Sequence, residues 1–306
     1  ATLKNILHLS KDLNEILREE VLKQSLLRSD AMTIQRKRKQ LWLQIMKIDL
    51  HFAKNEYNLY HQQQQIELSK SVIDTINVDV VRSFNSLKEI SQDTLKNILK
   101  TYAVVNTSLD YCQGMNFIAG FLYLTLGKNE ALAFAVMREV IEKYHIYNLF
   151  NEEQPMLKLM FYQLDRLISI HLPDLHSHFK NETINSSYFS SPYFVTLFTS
   201  ILQTQPTFEN SWMLQRVWDH FLIYGWKAIY KTCILVLKTF EEQLLNMSFE
   251  MMLAQLISLP VKFLYNDCTS LRDTLLRKRE EAEDDKDLDP EQRRDIIREA
   301  EREFED

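Results

Sequence analysis

The chain has 306 residues, of which 45% are hydrophobic and 11% aromatic, and it carries a formal net charge of −6. A chain of this size and composition can bury a substantial core, as one large domain or as two domains of ordinary size. No domain-sized stretch is strongly basic, which argues against nucleic acid as the main partner.

Scarcity of glycine points to the fold class. The chain has only four glycines and six prolines, whereas β-hairpins depend on glycine-bearing turns. No stretch shows sustained alternation of apolar and polar residues. The sequence therefore predicts an all-α protein.

Cysteine usage and hydropathy indicate the compartment. The three cysteines, Cys112, Cys233 and Cys268, are odd in number and widely spaced, and they form no metal-binding or disulfide pattern. The longest apolar run, residues 115–127, is too short to span a bilayer, and no signal peptide pattern opens the chain. These features predict a cytoplasmic protein.

The first predicted elements are amphipathic helices. Residues 1–35 place leucine and isoleucine every three to four positions, which predicts a helical lead-in. A basic run at residues 36–39 leads into an apolar stripe that includes Trp42. That run is expected to cover a helix face, the alternative being a phosphate or membrane contact. Residues 51–70 are polar and rich in glutamine, and they are expected to form an exposed helix or loop.

Further helices are indicated by caps and prolines. Ser91 and Asn129 stand directly before periodic apolar segments, where N-cap residues belong. Prolines typically start or break helices, and they are expected to divide residues 150–265 into four or five helical blocks. These are Pro155, Pro173, Pro192, Pro206 and Pro260.

The last segment, residues 271–306, differs in composition from the rest. It has few apolar residues and many charges of both signs. The sequence Asp-Pro-Glu at residues 289–291 is a good helix start. The segment is expected to be a solvated charged helix or a partly disordered extension.

Common catalytic signatures are missing. The sequence contains no phosphate-binding P-loop, no HExxH motif and no GxSxG motif. His145, His171, His176 and His178 lie near one another in the chain, and positions near helix C-termini account for them. No metal site is predicted.

Two short stretches remain unexplained by these patterns. Gln113 precedes Gly114 and Gly120 in the stretch that holds three of the four glycines; the glycines would permit close helix packing or the close approach of a ligand or another backbone. In the second stretch, Asp79 and Arg82 are three residues apart, a spacing that allows a surface ion pair on a helix.

Taken together, the two stretches resemble the paired signature of the TBC domain, the domain of Rab GTPase-activating proteins. The signature consists of IxxDxxR at residues 76–82 and YCQGMN at residues 111–116. Supporting similarity is found in Arg38-x-x-x-Trp42, in SPYFVTLFTSIL and in VWDHFLIYGWKAIYK. The resemblance covers residues 36 to about 265, so the TBC domain is assigned to residues 36–270.

The resemblance implies a two-lobed, all-helical domain with a groove for a GTP-bound Rab. It implies that Arg82 neutralises charge on the transferred phosphoryl group and that Gln113 orients the attacking water. GTP and Mg²⁺ would be carried by the Rab, and this chain would have no cofactor of its own. Contact with endomembranes would be indirect, through the Rab. The alternative is a catalytically silent Rab-binding or helical scaffold module.

Residues beside the two motif centres receive supporting or partner-binding roles from the same resemblance. These are Ile76, Asp79, Tyr111, Cys112, Gly114 and Asn116. Three positions depart from the family pattern: Asn85 replaces a usual proline, Asp110 a common glycine and Tyr193 a usual tryptophan. Neither Arg82 nor Gln113 is affected.

Overall fold

A computed structural model describes residues 31–106, 110–150 and 154–266, with only the backbone described for 31–34 and 65–67. Within these ranges the regular structure is helical and contains no strand, so the all-α prediction is confirmed. The α-helices, in chain order, are α1 (Ala31–Ile45), α2 (Leu50–Glu67), α3 (Lys70–Arg82), α4 (Gln92–Val105), α5 (Met115–Thr125), α6 (Glu130–Lys143), α7 (Pro155–His171), α8 (Pro173–Asn181), α9 (Ser191–Val195), α10 (Trp212–Tyr224), α11 (Trp226–Thr239), α12 (Glu241–Leu245) and α13 (Phe249–Val261). Turns of 3₁₀ helix lie at Ile146–Leu149, Ser186–Tyr188 and Thr199–Thr204, and a π-helical turn follows α13 at Lys262–Asn266.

The helices pack in two groups around one continuous apolar core. In the first group α2 packs on α4 and α6, and α3 and α5 pack on α4. In the second, α11 contacts α7, α10 and α13. The groups meet where α1 packs on α10 and where the 3₁₀ helix Thr199–Thr204 packs on α5. This second junction brings a segment of the C-terminal half next to the residues that follow Gln113.

Two predicted flanking segments fall mostly outside the described residues. The lead-in of 1–35 is described only from residue 31, where α1 begins, and the charged tail of 271–306 is not described. The glutamine-rich stretch 51–70 forms most of α2. Ala53 and Tyr57 on α2 are buried, so this helix is only partly exposed.

Both predicted N-caps are confirmed. The Ser91 side chain accepts a hydrogen bond from the Thr94 amide at 3.1 Å, and the Asn129 side chain accepts one from the Leu132 amide at 3.0 Å. Each bond satisfies a main-chain donor that has no partner within its helix. The starts of α4 and α6 are therefore set by local sequence.

The prediction that Pro260 separates two helices is wrong, because it lies inside α13. A proline in a helix leaves the carbonyl four residues earlier without its usual donor. Here that carbonyl belongs to Leu256, and it accepts a hydrogen bond from the hydroxyl of Tyr193. Burial raises the pKa of Tyr193 well above its usual value, so the hydroxyl stays protonated. Pro155 and Pro173, by contrast, start α7 and α8 as predicted.

We expect Tyr193→Phe to lower the free energy of unfolding by about 1–3 kcal/mol, because it leaves the buried Leu256 carbonyl without a donor while keeping the ring. Urea denaturation monitored by circular dichroism would measure the change. Tyr162→Phe is the matched control, since Tyr162 is 64% exposed. Equal stability of the two variants would contradict this account.

A buried polar cluster joins α1 to α10. The Arg38 guanidinium contacts both carboxylate oxygens of Asp219, with the Nε atom 3.0 Å from Oδ1, and donates to Gln215 at 2.7 Å. The Trp42 indole also donates to Asp219, at 2.8 Å. Although Arg38 belongs to the basic run 36–39, its guanidinium is therefore buried in this cluster and helps to hold the two helix groups together.

Candidate functional site

Arg82 is the last residue of α3. Ile76 and Val80 on the opposite side of this helix are fully buried and anchor it in the core. The Arg82 side chain is exposed. The helix thus presents a long cation at its end while its apolar face is fixed.

Gln113 lies in the turn just before α5, and its side chain is exposed. Gly114 follows with φ +111°, a conformation that residues with a Cβ rarely adopt. A Cβ at Gly114 would lie 2.8 Å from the Val195 side chain. Of the roles considered for this glycine, close approach by a neighbouring segment of the same chain is the one observed.

A hydrogen bond between Tyr111 and Asp79 joins the two motifs. The Tyr111 hydroxyl donates to Asp79 Oδ2 at 2.8 Å. Burial, and then the hydrogen bond to Asp79, raise the pKa of the Tyr111 hydroxyl above its usual value, so it remains a donor at neutral pH. Among the described residues, no ion pair joins Asp79 to Arg82. The surface ion pair that their spacing allowed is therefore not formed.

Asn116 makes a second connection between the motifs. Its side-chain oxygen accepts the Gly114 amide at 2.9 Å, and its side-chain nitrogen donates to Ser83 Oγ at 2.6 Å. The Ser83 hydroxyl in turn donates to the Asp79 carbonyl at 2.6 Å. Asn116 and Ser83 are both buried, so water competes little for these bonds. One amide thus ties the turn carrying Gln113 to the end of the helix carrying Arg82.

Gly120 on α5 leaves room for a third contact between the two motif regions, with the ring of Phe84, which lies two positions after Arg82. A Cβ at Gly120 would lie 2.3 Å from the Phe84 ring, far inside van der Waals contact. Phe84 itself has φ +52°, which turns the chain sharply at the end of α3. Of the roles considered for Gly120, close packing is therefore the one observed.

Gln113 borders an open cleft of about 680 Å³. Its walls are mostly apolar and come from both halves of the chain. Among the lining residues are Phe117, Phe150, Leu157, Phe189, Ile257 and Pro260. Gln203 also lines the cleft and donates from Nε2 to the Arg82 carbonyl at 3.0 Å. One lining residue of the cleft that Gln113 borders is therefore hydrogen-bonded to the main chain of Arg82.

Cys112 supports the turn rather than providing a reactive thiol. It is half-buried, and its amide contacts the Met115 sulfur at 3.5 Å. Burial, together with the Asp110 carboxylate, raises the pKa of the Cys112 thiol to about 11. At neutral pH the thiol is protonated and a poor nucleophile.

The departures from the family pattern lie beside the site. Asp110 has φ +48°, a left-handed conformation that glycine adopts without strain. This explains why glycine is common at that position. Asn85 is exposed directly after Phe84. Neither Asp110 nor Asn85 contributes to the hydrogen bonds that join the two motifs.

The described residues contain no group of three or more histidine, cysteine or acidic side chains that could hold a metal ion. His178, one of the four clustered histidines, contacts the Met247 carbonyl at 2.9 Å. Within the same ranges, no helix is both long enough and apolar enough to cross a bilayer.

Comparison with known proteins places this arrangement in a family. The chain is 32% identical over 180 residues to the Rab GTPase-activating protein eat-17 of Caenorhabditis elegans, covering 57% of this chain and 19% of that protein. It is 31% identical over 162 residues to the Ecotropic viral integration site 5 ortholog of Drosophila melanogaster, covering 53% of this chain and 19% of that protein. The chain thus matches about a fifth of the length of these relatives.

The fold is also similar to a solved structure. The crystal structure of the Chlamydomonas flagellar RabGAP TBC domain superposes with a TM-score of 0.64 at 19% identity, covering 88% of this chain and 91% of that one. The model of the Rab-GTPase-TBC domain family matches residues 35–245. This match includes both motifs and every helix of the two groups except α13, and the chain belongs to the Rab-GTPase-TBC domain family.

Proposed function

We propose that this chain is a GTPase-activating protein for a Rab-family GTPase, and that it supplies Arg82 and Gln113 in trans to the nucleotide site of its partner. One observation carries the proposal: two exposed polar side chains stand on segments tied together by one buried and one partly buried hydrogen bond. Tyr111 to Asp79 and Asn116 to Ser83 are those bonds. The two side chains are therefore carried by a main-chain frame whose parts are hydrogen-bonded to each other.

The chemistry requires such a frame. Phosphoryl transfer depends on positioning and on stabilising charge at the transferred group, and an arginine supplied by a partner accelerates it by about 10³–10⁵-fold. Arg82 would enter the nucleotide site and neutralise that charge, and Gln113 would orient the attacking water. The Rab would carry GTP and Mg²⁺. This chain would complete an active site without holding a cofactor or hydrolysing GTP alone.

The surface around Arg82 suits a protein partner. Val78 lies one turn before Arg82 on α3 and Val81 directly before it, and they are 49% and 53% exposed. These two apolar side chains would add apolar contact area to a protein interface around Arg82. The GTP-bound Rab would cover them, and the chain would reach a membrane only through that Rab.

The alternative is a silent Rab-binding or helical scaffold module. A scaffold has no use for an exposed arginine and an exposed glutamine whose segments are joined by a shared hydrogen-bond network. A scaffold that binds its partner through residues 36–39 has even less support, because Arg38 is buried against Asp219. The GTPase-activating function is therefore the better supported of the two.

We expect the purified chain to accelerate GTP hydrolysis by at least one Rab in a panel of GTP-loaded Rabs. Single-turnover phosphate release measures this, with each Rab alone giving the intrinsic rate. Binding should be measured on the same panel. The silent module would be favoured if at least one Rab binds in its GTP form and no Rab in the panel hydrolyses GTP faster.

A further inference from the structure

Gln203 comes from a distant part of the chain and contacts Arg82, the proposed catalytic arginine. Its Nε2 atom donates to the Arg82 carbonyl at 3.0 Å across 121 chain positions. Gln203 belongs to the 3₁₀ helix Thr199–Thr204, which packs on α5. It also lines the cleft that Gln113 borders. One side chain thus contacts the main chain of Arg82 and faces the cleft of the second catalytic candidate.

The bond fixes a carbonyl that α3 itself leaves free. The last carbonyls of an α-helix have no donor within the helix. At this helix end, the Ser83 amide donates to the Val80 carbonyl at 3.1 Å, and the Ser83 hydroxyl donates to the Asp79 carbonyl at 2.6 Å. The Arg82 carbonyl receives its donor from Gln203. The carbonyls of Asp79, Val80 and Arg82 at this end therefore each have a donor that holds them in a defined direction.

We infer that Gln203 is a positioning residue for Arg82, an inference that rests on the GTPase-activating function proposed above. The guanidinium stands at the end of a long side chain, so a small rotation of the Arg82 main chain displaces it by a larger distance. A displacement of about 1 Å in a catalytic group can lower a rate by about 100-fold. Holding the carbonyl in place limits that rotation.

The solvent exposure of this hydrogen bond determines whether its loss affects the stability of the fold or the rate of catalysis. Gln203 is exposed in the free chain, so water competes with the bond and the bond adds little to the stability of the fold. A GTPase seated on the cleft excludes that water, and the bond then has a stronger influence on the main chain. Loss of the bond should loosen the end of α3 locally in the free chain, slow catalysis in the complex and leave overall folding intact.

The test uses Gln203→Met, which keeps the length of the side chain and removes the donor. Gln243→Met is the matched control, because Gln243 is an exposed glutamine on α12. With a responsive GTPase, we expect Gln203→Met to lower kcat about tenfold and to change KM by less than about twofold. A residue that only contacts the GTPase would change KM instead.

Hydrogen exchange on the free chain gives a second readout that needs no GTPase. The Ser83 amide donates to the Val80 carbonyl at the end of α3, and the Leu87 amide donates to the Phe84 carbonyl in the following turn. We expect both amide hydrogens to exchange faster in Gln203→Met than in Gln243→Met. Unchanged exchange, or a raised KM with unchanged kcat, would overturn the inference. If wild-type chain accelerates no GTPase, the proposed function fails, and the exchange rates alone decide whether Gln203 holds the helix end.

Discussion

Arg82→Ala should remove nearly all of the acceleration of GTP hydrolysis, a loss of about 10³–10⁵-fold in rate. This corresponds to about 4–7 kcal/mol of activation free energy, because the charge developing on the phosphoryl oxygens would lose its cation. The fold should be unaffected, since the Arg82 side chain is exposed and alanine suits a helix end. Single-turnover phosphate release with a responsive Rab measures the loss.

Two further variants separate charge from geometry. Arg82→Lys keeps the positive charge but lacks the planar fork that contacts two oxygens at once, so it should restore little of the rate. Lys70→Ala removes an exposed cation from the other end of α3 and should leave the rate unchanged. The proposed role of Arg82 is wrong if Arg82→Ala activates as well as wild type.

Local patterns in the sequence predicted much of the fold. Helix periodicity and scarce glycine predicted the all-α class, and Ser91 and Asn129 marked helix starts because capping depends on residues only three positions apart. Interactions of this short range are determined by adjacent residues. Arg82 and Gln113, by contrast, were identified only through the resemblance of their motifs to the TBC signature.

Long-range contacts could not be predicted in this way. Pro260 was expected to end a helix, and nothing nearby indicates that Tyr193 supplies a donor to the freed carbonyl of Leu256. The contact of Gln203 with Arg82 spans 121 positions and has no sequence pattern. Asp79 likewise bonds Tyr111 rather than the arginine on its own helix. These hydrogen-bond partners are determined by tertiary packing, which a single sequence does not reveal.

Gln113→Ala should lower the rate of activated hydrolysis by about 100-fold, because the attacking water would lose the group that orients it. The loss should be in kcat, since Val78, Val81 and the cleft walls would still bind the Rab. Circular dichroism should be unchanged, because the Gln113 side chain is exposed and the bonds of Tyr111 and Asn116 remain. Rate measurements at saturating chain concentration isolate this effect.

Gln44→Ala is the matched control, because Gln44 is an exposed glutamine on α1 and should be silent. Gln113→Glu keeps the size of the side chain but replaces the amide donor with an anion, which the negatively charged phosphates would repel. It should therefore be at least as damaging as Gln113→Ala. A normal rate for Gln113→Ala would mean that a group on the Rab itself orients the attacking water. The chain would then supply Arg82 alone.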